Sequence, residues 1–217
     1  MLEVQITEKK YGNQLVLENL NLTITTNGIY GIVGKNGEGK TTLFHSILGI
    51  EKHKGKSTLK QQNINLQKAA YCPAEPFIYE ELTASEFYDF YAELLNISYL
   101  NSKNILFDIP KNQQIKYFST GMKKKAYLNA IFQKEYSLYV LDEPFNGLDI
   151  ESNYQLMNYL KEISKQTIIL ISSHIIDVLY KHCEKIYLLQ NKTLQEFSSE
   201  NYELIEAKLV NNEKHSI

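Results

Sequence analysis

Residues 34–41 read Gly34-Lys35-Asn36-Gly37-Glu38-Gly39-Lys40-Thr41, which matches the pattern G-x-x-x-x-G-K-[ST]. The β-branched segment 28–33 before it predicts a strand, and the apolar spacing from Lys40 to Leu48 predicts a helix. Glycines let backbone N–H groups turn toward an anion, and the helix adds the positive end of its dipole. The segment therefore predicts a phosphate cradle at the start of an α/β unit.

The residues at the end of this segment are candidates for direct contact with a nucleotide. The spacing predicts that Lys40 bridges the outer phosphates and that the Thr41 hydroxyl holds Mg²⁺. Thr42 is either a second phosphate-site hydroxyl or an ordinary helix residue. A chance match to the four fixed positions is expected in roughly one chain of this length in a hundred, and the strand and helix context makes chance less probable. The candidate nucleotide-binding residues are therefore 34–42.

The flanking sequence predicts an α/β fold. Residues 1–33 have β character with a turn at residues 11–13, and segment 56–72 predicts short strands. Residues 77–135 are mostly helical, with a capping-box pattern at Thr83 and Glu86. Strand and helix patterns then alternate, which indicates a parallel sheet flanked by helices. The predicted helices are 122–134, 150–165 and 174–182, the predicted strands are 137–141, 167–172, 185–189 and 193–197, and a polar tail follows, with residues 211–217 expected to fray.

Two adjacent acids follow the apolar strand 137–141. Asp142 and Glu143 precede Pro144, and the carboxyl end of a parallel strand lies at the ligand-binding edge of such a sheet. Asp142 can reach Mg²⁺, and Glu143 can polarise an attacking water as a general base. An exposed acidic turn is the alternative, which the nearby phosphate cradle makes less favoured.

Composition excludes several other classes of protein. The 217 residues carry 23 Lys and Arg against 25 Asp and Glu, so no general attraction to nucleic acid or anionic lipid is expected. The longest apolar runs have strand length, which predicts no membrane span, and the first residues show no secretory signal. The two cysteines lack zinc-site spacing and are expected to be buried thiols in a reducing compartment. The run 123–125 of three lysines is expected to be a solvated helix face.

Further motifs give the chain a specific resemblance. Residues 118–122 (Phe-Ser-Thr-Gly-Met) resemble the signature motif of ATP-binding cassette (ABC) ATPases, residues 145–149 (Phe-Asn-Gly-Leu-Asp) resemble their D-loop, and His174 resembles their switch histidine. The order matches over roughly residues 2–200. This resemblance implies a P-loop NTPase of ABC type, with a mixed sheet flanked by helices, an N-terminal antiparallel β-subdomain and an inserted helical lobe. It implies one domain over residues 1–217, with the lobe at about 77–135 and a C-terminal tail at about 200–217.

The resemblance also implies roles for individual residues. Tyr11 matches the aromatic residue that stacks on adenine, although a tyrosine beside Gly-Asn is by itself more often an ordinary turn residue. Ser119 and Gly121 match the signature groups that contact the γ-phosphate held by a partner subunit. Asp149 resembles the residue that communicates between subunits, and a helix N-terminal acid is the alternative. His174 resembles the group that senses the γ-phosphate beside Glu143.

The chain departs from the family pattern at two places. Thr120 and Met122 replace a glycine and a glutamine of the commonest signature, while Ser119 and Gly121 are kept. Ala74 occupies the position that aligns with the Q-loop glutamine, and an alanine side chain cannot ligate Mg²⁺. Either water fills that place or Glu75 compensates. We hypothesise that Mg²⁺ keeps Thr41 but has no side-chain ligand from this loop.

The implied activity is ATP hydrolysis that powers transport by a separate membrane permease. The resemblance favours a bacterial exporter, a head-to-tail dimer of two ATPase subunits with ATP and Mg²⁺ at each interface, and no nucleic-acid partner. The chain would then lie in the cytoplasm, on the inner face of the cell membrane through its permease. A soluble ABC ATPase outside transport, for example in metal-cluster assembly, is the alternative. Five aromatic residues of the lobe either line a permease groove or form lobe core, and they are Phe77, Tyr79, Phe87, Tyr88 and Tyr91.

Overall fold

The computed structural model describes residues 1–96 and 105–211, without the side chains of 210 and 211. The described strands are β1 (Leu2–Tyr11), β2 (Gln14–Ile24), β3 (Gly28–Val33), β4 (Lys54–Leu59), β5 (Gln62–Asn63), β6 (Ala69–Cys72), β7 (Leu138–Leu141), β8 (Ile168–Ser172), β9 (Lys185–Gln190) and β10 (Thr193–Phe197). The described helices are α1 (Lys40–Ile47), α2 (Ala84–Leu94), α3 (Thr120–Ile131), α4 (Ile150–Ile163), α5 (Ile176–His182) and α6 (Glu203–Asn211), with short 3₁₀ turns at Ile115–Tyr117 and Ser199–Asn201. None of these helices is long and apolar enough to span a membrane.

The N-terminal strands form an antiparallel sheet in the order β2-β1-β4-β5, as predicted. The β1–β2 hairpin turns at Gly12 and Asn13, and Gly12 has a φ of 58° that favours glycine. The two alternating runs predicted in residues 15–25 belong to the single strand β2. Asn19 has a φ of 48°, and this irregularity lets both Leu17 and Leu20 face the core although they are three residues apart.

The second sheet has six strands in the order β10-β9-β3-β8-β7-β6. Strands β9, β3, β8, β7 and β6 are parallel, and only β10 among these six pairs antiparallel, so the predicted mixed sheet is confirmed. The carboxyl ends of four neighbouring strands therefore meet at one edge. The P-loop follows β3, His174 lies just beyond the end of β8, the acidic pair follows β7, and Ala74 follows β6.

Both faces of the mixed sheet are covered by apolar layers. On β7, Leu138 and Val140 pack toward α1 and the antiparallel sheet, whereas Tyr139 and Leu141 pack toward the helical side. Such alternation of buried residues is what a parallel strand with two covered faces requires. Helix α2 begins with the predicted capping box between Thr83 and Glu86.

Two stretches differ from the sequence-based expectation. Residue His174 does not begin a helix, because α5 starts at Ile176 and the Ser173 hydroxyl accepts a hydrogen bond from the Ile175 N–H in a local turn. Residues 203–211 of the expected polar tail form α6. Ile205 and Tyr202 are buried against the helical-side core, and this packing orders the segment. The last residues expected to fray, 212–217, lie outside the described residues.

Smaller differences concern helix ends and thiols. Helix α3 begins at Thr120, two residues before its predicted start, and ends at Ile131, three residues before its predicted end. Helix α4 ends at Ile163 rather than at residue 165. Both cysteines are free thiols, but only Cys72 is buried, while Cys183 is partly exposed.

Candidate nucleotide-binding and catalytic site

The P-loop is closed by the side chain of its own lysine. The Lys40 Nζ donates to the carbonyl oxygens of Gly34 at 2.7 Å and Lys35 at 3.2 Å. Gly39 has a φ of 104° immediately before α1, and a Cβ at Gly34 would lie 2.5 Å from the Leu189 carbonyl oxygen. Glycine is therefore required at Gly39 because of its backbone conformation and at Gly34 because the backbone of β9 lies so close.

A chain of short hydrogen bonds joins α1, β7 and β8. The Thr41 hydroxyl donates to Asp142 Oδ2 at 2.6 Å, and the Ser172 hydroxyl donates to Asp142 Oδ1 at 2.6 Å. Ser172 Oγ in turn accepts from the Glu143 N–H at 2.9 Å. Asp142 is buried, so a carboxylate here needs these donors. The two residues expected at the Mg²⁺ site thus lie in direct contact.

Glu143 faces away from Asp142 and toward the end of β8. Its Oε2 lies 2.9 Å from His174 Nδ1 and accepts from the His174 N–H at 3.2 Å. Glu143 has a φ of 47°, a left-handed conformation that costs a non-glycine residue about 1–3 kcal/mol. The Ser172 bond holds the Glu143 backbone there, and the two adjacent acids therefore contact different partners.

The P-loop and the acidic pair border a cavity of about 380 Å³. Its lining includes Asn36, Gly37, Gly39, Lys40, Thr41 and Thr42 of the P-loop, Asp142 and Glu143 of the acidic pair, Ala74, and Tyr11 at the tip of the β1–β2 hairpin. Lys35 and Glu38 are not among the lining residues: the Lys35 carbonyl oxygen accepts from Lys40 Nζ, and Glu38 Oε2 accepts from the Asn191 N–H at 3.1 Å. The exposed Glu75 follows Ala74. Most candidate nucleotide-binding residues therefore share one cavity.

The signature segment and the D-loop contact each other. Ser119 caps α3, with its Oγ accepting from the Met122 N–H at 3.3 Å. A Cβ at Gly121 would lie 2.4 Å from the Gly147 carbonyl oxygen, so glycine is needed for this approach. Asp149 caps α4 through the Ser152 N–H and binds Lys125 Nζ at 2.8 Å. The hydrogen bond from Lys125 holds the pKa of Asp149 well below its ordinary value.

The three lysines of 123–125 do not form a solvated face, and that expectation is wrong. Lys124 is only 3% exposed, and its Nζ donates to the carbonyl oxygens of Pro73 at 3.1 Å and Ala74 at 2.8 Å. Lys123 binds Glu80 at 2.5 Å and Lys125 binds Asp149. The buried ammonium therefore joins helix α3 to the loop that follows β6, which contains Ala74.

Replacing Lys124 with methionine is expected to lower the free energy of unfolding by about 1–3 kcal/mol, because two buried carbonyls lose their charged donor. Urea denaturation of the purified chain measures this as a lower midpoint with an unchanged slope. The matched control is Lys123→Met, which removes an exposed ion pair and should change the free energy by less than about 0.5 kcal/mol. Equal midpoints for the two variants would contradict the structural role of Lys124.

Sequence reasoning missed Ser172 and Lys124 as site residues. Ser172 ends β8, which pairs with β7 in a register that sets Leu141 opposite Ile171, so Asp142 and Ser172 follow side by side. A serine at the carboxyl end of a predicted strand was the available signal. Lys124 gave no comparable signal, because its neighbours in the sequence are also lysines.

This chain has a P-loop beside an acidic pair, and both lie at the carboxyl edge of a mixed α/β sheet. That arrangement defines a P-loop nucleoside triphosphatase. The family model described as "ABC transporter" matches residues 17–146. The ABC-type transporter ATP-binding protein EcsA of Bacillus subtilis (strain 168) is 31% identical over 211 residues, covering 88% of this chain and 84% of EcsA. The SkfA peptide export ATP-binding protein SkfE of the same organism is 30% identical over 210 residues, covering 90% of this chain and 88% of SkfE.

A solved ATP-binding subunit of an ABC transporter is similar over 96% of this chain and 94% of its own, with a TM-score of 0.82 and 26% identity. This chain therefore belongs to the ABC transporter family, and it is an ABC-type ATPase. The resemblance found in the motifs is confirmed, and so is the ABC-type fold class.

Proposed function

We propose that this chain binds ATP in the cavity beside the P-loop and that its ATPase activity drives export by a separate membrane permease in a bacterium. The observation that carries the proposal is the convergence of Lys40, Asp142, Glu143 and His174 on one sheet edge. The direction of transport is supported by SkfE, whose name describes peptide export. A role outside transport, as in metal-cluster assembly, is not favoured, because EcsA is named as a transporter protein.

The phosphate groups of ATP would bind at the P-loop. Lys40 supplies the positive charge, and the N–H groups at the start of α1 supply further donors. Tyr11 lines the same cavity, where its ring can stack on the base. The proposed nucleotide-binding residues are Tyr11, Gly34, Lys35, Asn36, Gly37, Glu38, Gly39, Lys40, Thr41 and Thr42.

Thr41 and Asp142 would hold Mg²⁺. A hydroxyl and a carboxylate are the hard oxygen donors that Mg²⁺ prefers, and their 2.6 Å contact brings them to one point of the cavity. Among the residues that the structure describes, no cluster of three His, Cys, Asp or Glu side chains could hold a metal. Two protein oxygens suit an ion that completes its shell with phosphate and water. When bound, Mg²⁺ neutralises charge on the phosphates.

Glu143 is the proposed general base. Its carboxylate lies on the cavity wall and can accept a proton from the attacking water. His174 binds the same carboxylate through Nδ1 and its backbone N–H, so it can hold Glu143 in place and respond to a phosphate that approaches it. The contact between Glu143 and His174 would therefore connect the proposed general base to the segment that follows β8.

The active unit would be a head-to-tail dimer with a second ATPase subunit, identical or related. Within the described residues, neither Ser119 nor Gly121 is among those that line the nucleotide cavity of their own chain. Ser119 and the N–H of Gly121 begin α3 and can bind an anion held by a partner. Asp149 is coupled to this helix through Lys125. ATP would favour the closed dimer, and hydrolysis would remove that preference.

An exposed aromatic cluster is the proposed permease contact. Phe77, Tyr79 and Phe90 stack edge to face at 5.3 and 5.2 Å, and Phe77 is 76% exposed. Phe87 and Tyr88 are buried, so they belong to the lobe core instead. Exposed aromatic clusters of this kind are typical of interaction surfaces.

Co-purification tests the permease proposal. We expect the tagged chain to bring down a multi-span membrane protein from detergent-solubilised membranes. Phe77→Ala with Tyr79→Ala should reduce the yield by at least about 10-fold, since two aromatic interface residues at about 1–2 kcal/mol each weaken binding by roughly 30- to 1,000-fold. ATPase activity of the purified variant should be retained. Tyr154→Ala removes an aromatic residue that is 70% exposed on α4, and it is the matched control. Recovery of soluble partners alone would favour a function outside transport.

The proposed location follows from the proposed partner. The chain would sit in the cytoplasm, at the inner face of the cell membrane through its permease, with no nucleic-acid partner. We further infer one ABC ATPase domain over residues 1–217, with the helical lobe at about 77–135. Helices α2 and α3 pack together within that range.

A further inference from the structure

Tyr11 stands at the tip of a hairpin, where a side chain needs an anchor to hold one orientation. It is the last residue of β1, half-exposed, and it lines the nucleotide cavity. Its hydroxyl donates to the Glu51 carboxylate and lies 3.4 Å from Thr42 Oγ1. The Lys9 ammonium sits 4.4 Å from the ring centroid. Because Lys9 occupies one face of the ring, a base in the nucleotide cavity would have to stack on the opposite face.

Glu51 lies beyond the end of α1 and collects three donors. Lys9 Nζ binds its Oε2 at 2.8 Å, His45 Nδ1 binds its Oε1 at 3.0 Å, and Tyr11 donates to it as well. Burial opposes ionisation of this carboxyl, but the hydrogen bonds from Lys9, Tyr11 and His45 outweigh it and lower the pKa of Glu51 to about 2. Glu51 is therefore an anion throughout the neutral range and keeps its donors.

The partners of Glu51 are themselves held by other elements. Lys9 is buried on β1 and also donates to the Lys52 carbonyl oxygen at 3.1 Å. His45 on α1 lies with Nε2 3.0 Å from the Tyr71 hydroxyl on β6. Burial raises the pKa of Tyr71. A His45 tautomer with its proton on Nδ1 would donate to Glu51 and accept from the Tyr71 hydroxyl at Nε2. Strand β1, helix α1 and strand β6 thus converge on one carboxylate.

We propose that Glu51, supported by Lys9 and His45, is a positioning residue for nucleotide recognition: it fixes the Tyr11 ring so that its free face meets the base. The inference rests on the proposed function, in which this cavity holds ATP and Tyr11 stacks on adenine. Glu51 touches no ligand in this arrangement and acts through Tyr11. Affinity for the phosphate groups does not depend on it.

The expected effect is a lower affinity for ADP, because the contact between Tyr11 and the adenine base is weakened. Ordering one mobile side chain upon binding costs about 0.5–1.5 kcal/mol, so Glu51→Ala should weaken ADP binding by about 2- to 10-fold. Tyr11→Ala removes the stacking itself and should weaken it by roughly 5- to 100-fold. Glu51→Gln keeps an acceptor for the Tyr11 hydroxyl but loses the charge that holds Lys9, and it should fall between wild type and Glu51→Ala.

A double-mutant cycle with the purified chain tests the proposal. Calorimetric titration with Mg²⁺-ADP compares wild type, Glu51→Ala, Tyr11→Ala and the double variant. We expect Glu51→Ala to have no further effect once Tyr11 is absent. Glu8→Ala is the matched control, because Glu8 is on β1, binds Lys54 at 2.8 Å and has a side chain 25% exposed against 26% for Glu51. It should bind ADP as wild type does.

The outcomes separate this inference from the function on which it rests. Unchanged ADP binding by Tyr11→Ala would overturn the assignment of Tyr11 to the base. A normal loss for Tyr11→Ala, with Glu51→Ala equal to Glu8→Ala, would overturn the positioning role alone. The same loss for Glu51→Ala with and without Tyr11 would also overturn it, since Glu51 would then act through α1. If Glu51→Ala does not fold, the cycle is run with Glu51→Gln.

Discussion

The Glu143→Gln variant is expected to hydrolyse ATP about 10²- to 10⁴-fold more slowly than wild type while still binding it, because an amide cannot accept the proton of the attacking water. The glutamine side chain has the same shape and can keep the contact with the His174 N–H. Nucleotide affinity depends on the P-loop instead. Steady-state phosphate release measures the turnover, and titration with ATP measures binding.

The same variant is expected to accumulate as a dimer in ATP. If ATP joins two subunits and hydrolysis separates them, a chain that binds without turnover stays in the closed state. Size-exclusion chromatography with and without ATP reads this out directly. Glu162→Gln changes an exposed acid that binds Lys165 near the end of α4, and it should retain wild-type turnover. Full turnover by Glu143→Gln would reject the base assignment.

Local sequence was sufficient for the phosphate cradle and for most of the fold. All groups of the P-loop come from eight consecutive residues, so their pattern can be recognised without knowing which strands are neighbours. The acidic pair was similarly marked by the apolar strand before it. The sheet class followed from alternating helix and strand patterns, and the hairpin turn from Gly12 and Asn13.

The remaining site features depend on contacts between distant parts of the chain. Ser172 becomes a partner of Asp142 only because β8 lies beside β7, and strand order cannot be read from periodicity. Lys124 is buried because the backbone after β6 offers two carbonyl oxygens to it. Glu51 reaches Tyr11 across 40 residues. Helix α6 likewise forms where a polar tail was expected, because Ile205 finds an apolar surface.

Lysine 40 provides the second prediction of large effect. Its ammonium spans the P-loop and is bound to the carbonyl oxygens of Gly34 and Lys35. Hydrogen bonds to charged groups contribute about 1.5–3 kcal/mol, so Lys40→Ala should weaken ATP binding by roughly 10- to 100-fold. Lys40→Arg keeps the charge, but a planar guanidinium cannot reproduce the compact ammonium and should restore affinity only in part.

Binding measured by calorimetry, with melting temperature recorded for each variant, distinguishes phosphate contact from loop stability. If Lys40 only braces the loop, Lys40→Ala should lower the melting temperature of the nucleotide-free chain, and the affinity should fall in proportion to that loss. If Lys40 also meets the phosphates, the affinity falls by more than the lost stability of the nucleotide-free chain accounts for. Lys165→Ala, which removes an exposed lysine paired with Glu162, gives the reference melting temperature. Unchanged ATP binding by Lys40→Ala would count against the cradle itself, because the glycines and the helix N-terminus would then be sufficient without any charged side chain.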